Sequence, residues 1–154
     1  MRLPHPFVCL IAVFLATGGA RAACPCPPLS LDDRIAGATF IFTGRALTSA
    51  QIPPGSSPFH SERTLEQPRY ADNDLVTLFR IETVWKGDSR KTVRVRHIQG
   101  ECAAQFEANV PTVVFAQSDE AGILWTQLCS GNVASGDAGF PGLEGALANK
   151  LKFN

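Results

Sequence analysis

Cys24-Pro25-Cys26-Pro27 is the stretch that most constrains what this chain can fold into. Two cysteines one residue apart cannot easily bond each other, so each is expected to reach a distant partner. Cys102 and Cys129 are the cysteines downstream. Four cysteines allow three pairings, and their spacing does not choose among them. Either way the early residues are fastened against the middle and the end of the chain. A bond closing roughly 80–100 residues is worth about 4–5 kcal/mol by the chain-entropy relation. A terminus held this rigidly points to the terminus as the working part.

The fifth cysteine, Cys9, falls in a segment that reads as a secretory signal over residues 1–23. Arg2 gives the positive start, Phe7 to Ala16 the apolar core, and Ala20-Arg21-Ala22 an A-x-A cleavage site. That core is too short for a membrane span of about 20 residues. Cleavage after Ala22 leaves 132 residues and cleavage after Ala23 leaves Cys24 first. Residues 24–154 suffice for one core and hardly for two domains. Loss of Arg2 and Arg21 leaves 12 basic against 14 acidic residues. With no basic excess to neutralise phosphates, nucleic acid is not an expected partner. An even cysteine count fits a secreted or extracytoplasmic protein, extracellular or periplasmic.

The pattern predicts a mainly β chain. Ser30 and Asp33 approximate a capping box for a short helix over Leu31 to Ala36, ended by Gly37. Ala38 to Ala46 reads as a strand, with Gly44 marking a bulge or a close backbone approach. Leu47 to Asn73 is a long polar excursion rich in proline and serine, of a length that is usually functional or disordered. Leu75, Thr77, Phe79, Ile81, Thr83 and Trp85 then share one strand face, with Arg80 and Glu82 on the other. Lys86-Gly87-Asp88 turns the chain into Thr92 to Arg96, where Val93 and Val95 point inward. Two more strands are expected at Pro111 to Ala116 and Ile123 to Leu128, and a late helix carries Leu143, Leu147 and Leu151 on one side. Five strands flanked by a short N-terminal helix and a C-terminal helix predict an OB-fold-like five-stranded Greek-key barrel.

Candidates for chemistry are few. There is no G-x-S-x-G, no H-E-x-x-H and no phosphate-cradling glycine loop. His60 falls in the polar excursion as a solvated residue, and His97 ends a strand as a packed one. Asp32-Asp33 and Asp119-Glu120 read as acids of a helix start and a turn, and Arg94 and Arg96 as a solvent-facing stripe. Zinc and dithiol redox sites place two residues between their cysteines, whereas here there is one, a proline. The chain is expected to be neither an enzyme nor a cofactor binder.

In order, the chain shows a C-x-C-x-P start, a short helix and a strand reading Phe40-Ile41-Phe42-Thr43-Gly44-Arg45-Ala46. Phe79 to Gly87 follows with its V-W-K-G ending, then Gly100-Glu101-Cys102 with Phe106, Val113 to Ala116, and Cys129. This order resembles the netrin-like module, specifically the N-terminal domain of tissue inhibitors of metalloproteinases. The resemblance implies disulfides Cys24–Cys102 and Cys26–Cys129. It also implies that Cys24, Pro25, Cys26 and Pro27 form an inhibitory ridge. There the amine and carbonyl of a terminal Cys24 bind the catalytic zinc of a target metalloprotease and displace its water. At the position of Pro25 that family usually sends a small side chain, often Ser or Thr, into the protease's specificity pocket. The implied molecule is an exported, monomeric protease inhibitor. The alternative is a non-inhibitory netrin-like binding module for a protein or surface partner.

Overall fold

Strand β1, Phe40–Gln51, pairs along both of its edges, and this closes the sheet into a barrel. The computed structural model describes residues 24–51, 74–100 and 103–151. The expected signal at 1–23, most of the polar excursion with His60, and Cys102 lie outside the described residues. Helix α1, Leu31–Gly37, precedes β1; then come β2 (Asp74–Lys86), β3 (Thr92–Ile98), β4 (Pro111–Ser118), β5 (Leu124–Trp125), β6 (Val133–Ala134) and helix α2 (Phe140–Leu151). The order β1-β2-β3-β5-β4, with β4 returning to β1, makes a closed five-stranded barrel, and β6 hangs on the free edge of β4. The mainly β barrel with its two helices matches the expected fold class.

Alternation decides which side chains fill the interior. Phe40, Phe42, Ala46, Phe79, Val93, Val95, Val114, Ala116 and Leu124 form one buried cluster. Its aromatic rings run edge to face, Phe42 on Phe79 at 5.3 Å and Phe79 on Phe106 at 4.9 Å between centroids. Such pairs add about 0.5–1.5 kcal/mol beyond their buried area. Ile41, Val113 and Phe115 point the other way. They join Ala38 and Leu147 in a second cluster beneath the helices, where Leu31, Ile35, Leu143 and Leu151 cover them. Val113 and Phe115 are thus buried as expected, but outside the barrel wall. The first half of β1 and most of β4 are covered on both faces, which is why Thr112 to Ala116 is buried without interruption.

Three expectations need correction. The face predicted for β2 does not persist along the strand: Thr77 and Phe79 are buried, Ile81 and Trp85 half-buried, and Thr83 exposed, while Val84 packs on the interior. Register shifts at Ile41/Phe42 and Thr43/Gly44 break the period. Gly44 allows one of them, since a Cβ there would stand 2.7 Å from the Arg80 carbonyl oxygen. The predicted strand over Ile123 to Leu128 shrinks to two residues. At Thr126 the chain leaves the sheet, its hydroxyl donating to Phe115 O at 2.8 Å, and turns through a 3-10 helix at Leu128–Ser130. Helix α2 begins three residues before Leu143, because Pro141 in its first turn needs no backbone partner.

Gly87 shows how tightly the turn after β2 is drawn. Its φ is +103°, and a Cβ would fall 2.2 Å from the Phe40 ring. Gly87→Ala should destabilise the protein by about 2–5 kcal/mol, adding left-handed strain to overpacking. Gly136→Ala, with open space around it, should change stability by less than about 0.5 kcal/mol. Urea denaturation of the two variants checks both.

Candidate functional site

Residues 24–30 have no regular structure, and three of them, Pro25, Pro27 and Pro28, have no backbone N–H to pair. What places them is covalent. Cys26 is bonded to Cys129, with Cα atoms 5.2 Å apart across 103 positions of sequence. The spacing of the cysteines left this pairing open, and it is the one implied by the resemblance. Cys24 is also disulfide-bonded; Cys102, its expected partner, lies outside the described residues. Cys24 is half-buried, while Pro25 to Ser30 are exposed. Leu29 and Leu128, close to either end of the bond, rank among the large apolar side chains left in water, at 39% and 36% exposure.

The far end of this ridge is held by α1. Ser30 and Asp33 form the expected capping box, the Asp33 N–H donating to Ser30 Oγ at 3.1 Å and the Ser30 N–H to Asp33 Oδ2 at 3.3 Å. The helix has only two turns, too few to be stable alone. Lys86 anchors it from below: its ammonium donates to Ile35 O at 2.7 Å and to Ala38 O at 2.6 Å, satisfying carbonyls at the helix C-terminus. Asp32 also pairs with Lys150 of α2. The Arg34 side chain lies over Gly131, where a Cβ would come within 2.7 Å of it and where φ is +86°.

The V-W-K-G sequence therefore has a structural role. Trp85 Nε1 donates to Thr43 Oγ1 at 2.9 Å, and Thr43 in turn donates to Glu144 Oε1 at 2.8 Å. With Lys86 under α1 and Gly87 against Phe40, the motif ties β1, β2 and both helices together behind the ridge. Sequence patterns did not reveal this, nor the part played by Asn132. Its Oδ1 accepts the Phe115 N–H at 2.9 Å, and its amide donates to Thr126 Oγ1 at 3.0 Å. These bonds steady the turn that carries Cys129. A single asparagine in a glycine-rich stretch offers no periodic signal that would mark it.

His97 is packed, as expected, at 5% exposure. Its Nε2 lies 2.8 Å from Thr77 Oγ1, which lies 2.6 Å from Ser49 Oγ, and its ring meets Phe106 edge to face. Nδ1 is buried without a hydrogen bond of good geometry. Burial lowers the His97 pKa below its ordinary value; the backbone of Ile98 and Ala104 and the carboxylate of Asp74 oppose this without cancelling it. The hydroxyl against this imidazole, that of Thr77, is itself fully buried. Among the described residues no cluster of His, Cys, Asp and Glu is arranged to hold a metal ion, and no helix is long and apolar enough to cross a membrane. Arg94 is exposed as expected, whereas Arg96 is half-buried. No protein-family model matches the chain, and no curated protein matches it in sequence.

The folded state binds fewer protons at His97 than the unfolded chain does below about pH 6.5. The stability that neutral His97 contributes is complete above that pH. It is lost as the pH falls toward the lowered folded pKa. His97→Gln should remove this component of acid sensitivity, measured as the difference in urea midpoint between pH 7.5 and 5. Replacing Cys26 and Cys129 together by Ala should cost up to about 4–5 kcal/mol, read by thermal unfolding.

Proposed function

We propose that this chain is an exported inhibitor of zinc metalloproteases, acting as a monomer through the ridge Cys24-Pro25-Cys26-Pro27. The observation that carries the reading is the ridge itself: an exposed, proline-stiffened segment, bonded at Cys26 to Cys129 and flanked by exposed Leu29 and Leu128. A segment already fixed in one conformation loses little entropy on entering a cleft. Its apolar flanks suit the walls of a substrate groove. The netrin-like resemblance adds the chemistry. With Cys24 at the terminus, its neutral amine and carbonyl oxygen ligate the protease zinc at the position otherwise held by the activated water. The disulfide is compatible with the oxidising compartment that export provides.

The mechanism depends on a single atom, the α-nitrogen of residue 24. Two forms of the protein, one beginning at Cys24 and one at Ala23, separate it from every other property of the fold. The Cys24 form should inhibit susceptible metalloproteases, and the Ala23 form should lose inhibition by at least about 100-fold, because an amide nitrogen has no available lone pair. Progress curves against a panel of zinc endopeptidases measure this, with circular dichroism showing equal folding. Equal inhibition by both forms would refute zinc ligation. Silence from both, in folded material, would leave the non-inhibitory binding module.

A further inference from the structure

Ser49, Thr77 and His97 form one row across three adjacent strands. Ser49 lies directly opposite Thr77 in the register of β1 with β2. Thr77 lies opposite Val95 of β3, which makes His97, two residues along, its diagonal neighbour. The side chains connect. Ser49 Oγ is 2.6 Å from Thr77 Oγ1, and Thr77 Oγ1 is 2.8 Å from His97 Nε2. Thr77 and His97 are buried, whereas Ser49 belongs to the exposed run Leu47 to Ala50. The row thus leads from an imidazole packed on Phe106 out to solvent.

The other side of the ring gives this row its direction. Main-chain groups of Ile98 and Ala104 favour the protonated imidazole, as acceptors do. With Nε2 turned to Thr77, they act at Nδ1 and place the proton of the neutral ring there. Nε2 is then an acceptor. Thr77 donates to it and accepts in turn from Ser49, so each hydrogen bond points from the surface inward. Burial lowers the His97 pKa, so the ring is neutral at about pH 7 and free to take a proton. From β2 the Asp74 carboxylate acts on the ring and favours the imidazolium that such a transfer creates. The neighbours from β1 and from the connector after β3, Ser49, Ala104 and Phe106, carry no charge. Polar groups at the end of an apolar interior are costly unless paired, and packing alone would need none of them.

We infer that Ser49 is an acylation site, a nucleophile that takes an acyl group from an activated ester while the buried imidazole acts as base through Thr77. Ser49 Oγ attacks the ester carbonyl carbon as its proton passes to Thr77 Oγ1 and the proton of Thr77 passes to His97 Nε2. The bond from that carbon to the leaving oxygen then breaks, and the imidazolium sends its proton back through Thr77 to the leaving oxygen. The products are an O-acylated Ser49 and a free alcohol or phenol. A hydroxyl bonded toward a base, with the base set by further groups, is the arrangement that activates a serine. Thr77 and His97 do not touch the ester; they are positioning residues. The inference stands independently of protease inhibition, in which none of the three takes part.

The probe is p-nitrophenyl acetate, added to the folded protein, with the acetylated positions read by peptide mass mapping. Ser49 should be acetylated faster than Ser135, which is also exposed. In the unaltered chain its rate should rise with pH through the lowered His97 pKa and level off above about pH 6.5, where the ring is fully neutral. Ser49→Ala should remove the modification without changing any inhibition of metalloproteases. Thr77→Val and His97→Gln should each slow acetylation of Ser49 at least about 100-fold, the scale of general-base catalysis, and erase the pH step. Thr77→Ser, which restores the hydroxyl, should keep most of the rate and the pH step, and Ser135→Ala all of both. Circular dichroism checks that each variant is folded. The inference is overturned if Ser49 reacts no faster than Ser135, if its rate in the unaltered chain is flat with pH, or if folded Thr77→Val reacts as fast as the unaltered chain.

Discussion

The double pairing of β1 is the constraint from which the rest of the structure follows. Its register with β4, Phe40 on Ala116 through Arg45 on Pro111, turns an open sheet into a closed one. Closure gives β1 an inside and an outside, and its first residues are apolar on both: Phe40 and Phe42 go inward, while Ile41 goes outward beneath α1 and α2. A strand paired along both edges leaves none free to aggregate. It also sets a fixed floor for α1, which could not form unsupported. The ridge starts from that helix. Its position is thus a consequence of barrel closure as much as of the disulfide.

Polar groups are spent sparingly, and mostly at junctions. Thr43 receives Trp85 and gives to Glu144, so one buried hydroxyl joins β1, β2 and α2. Lys86 satisfies the end of α1 with two bonds where water would otherwise serve. Asn132 supplies a main-chain partner for Phe115. Lys86 meets carbonyls at the end of α1, and Asn132 meets β4 between its pairings with β6 and β5, two places where backbone groups lack a helix or strand partner. Their joint effect is to make the scaffold behind residues 24–30 stiff without enlarging the core.

The elements with strong local signals were readable from the chain. Ser30 and Asp33 announced α1 through capping chemistry, Val93 and Val95 fixed the inner face of β3, and the leucines of α2 kept helical spacing. Gly44 was marked as an irregularity for the correct physical reason. What the pattern could not carry was non-local. Bulges opposite Gly44 shift the faces of β2, and no residue in β2 itself announces them. The shortness of β5 reflects where Cys129 has to arrive, a requirement set a hundred residues earlier. For the ridge, composition gave the two cysteines and the prolines, but not Leu29 and Leu128 as exposed neighbours. Nor did it show Lys86 as a support, since a lysine after a tryptophan looks like any surface residue.

The barrel is closed unevenly. On one side β1 and β2 pair over more than ten residues, whereas β3 meets β5 in parallel through the single register pair Arg96 and Trp125, helped by the Thr126 N–H to Arg96 O bond at 2.9 Å. The molecule is in effect a ring closed by a clasp. The clasp lies just before the segment that carries Cys129, so the disulfide to Cys26 acts as a bolt beside it. The bond to Cys26 thus ties the N-terminal ridge to the segment beside the narrowest seam of the barrel.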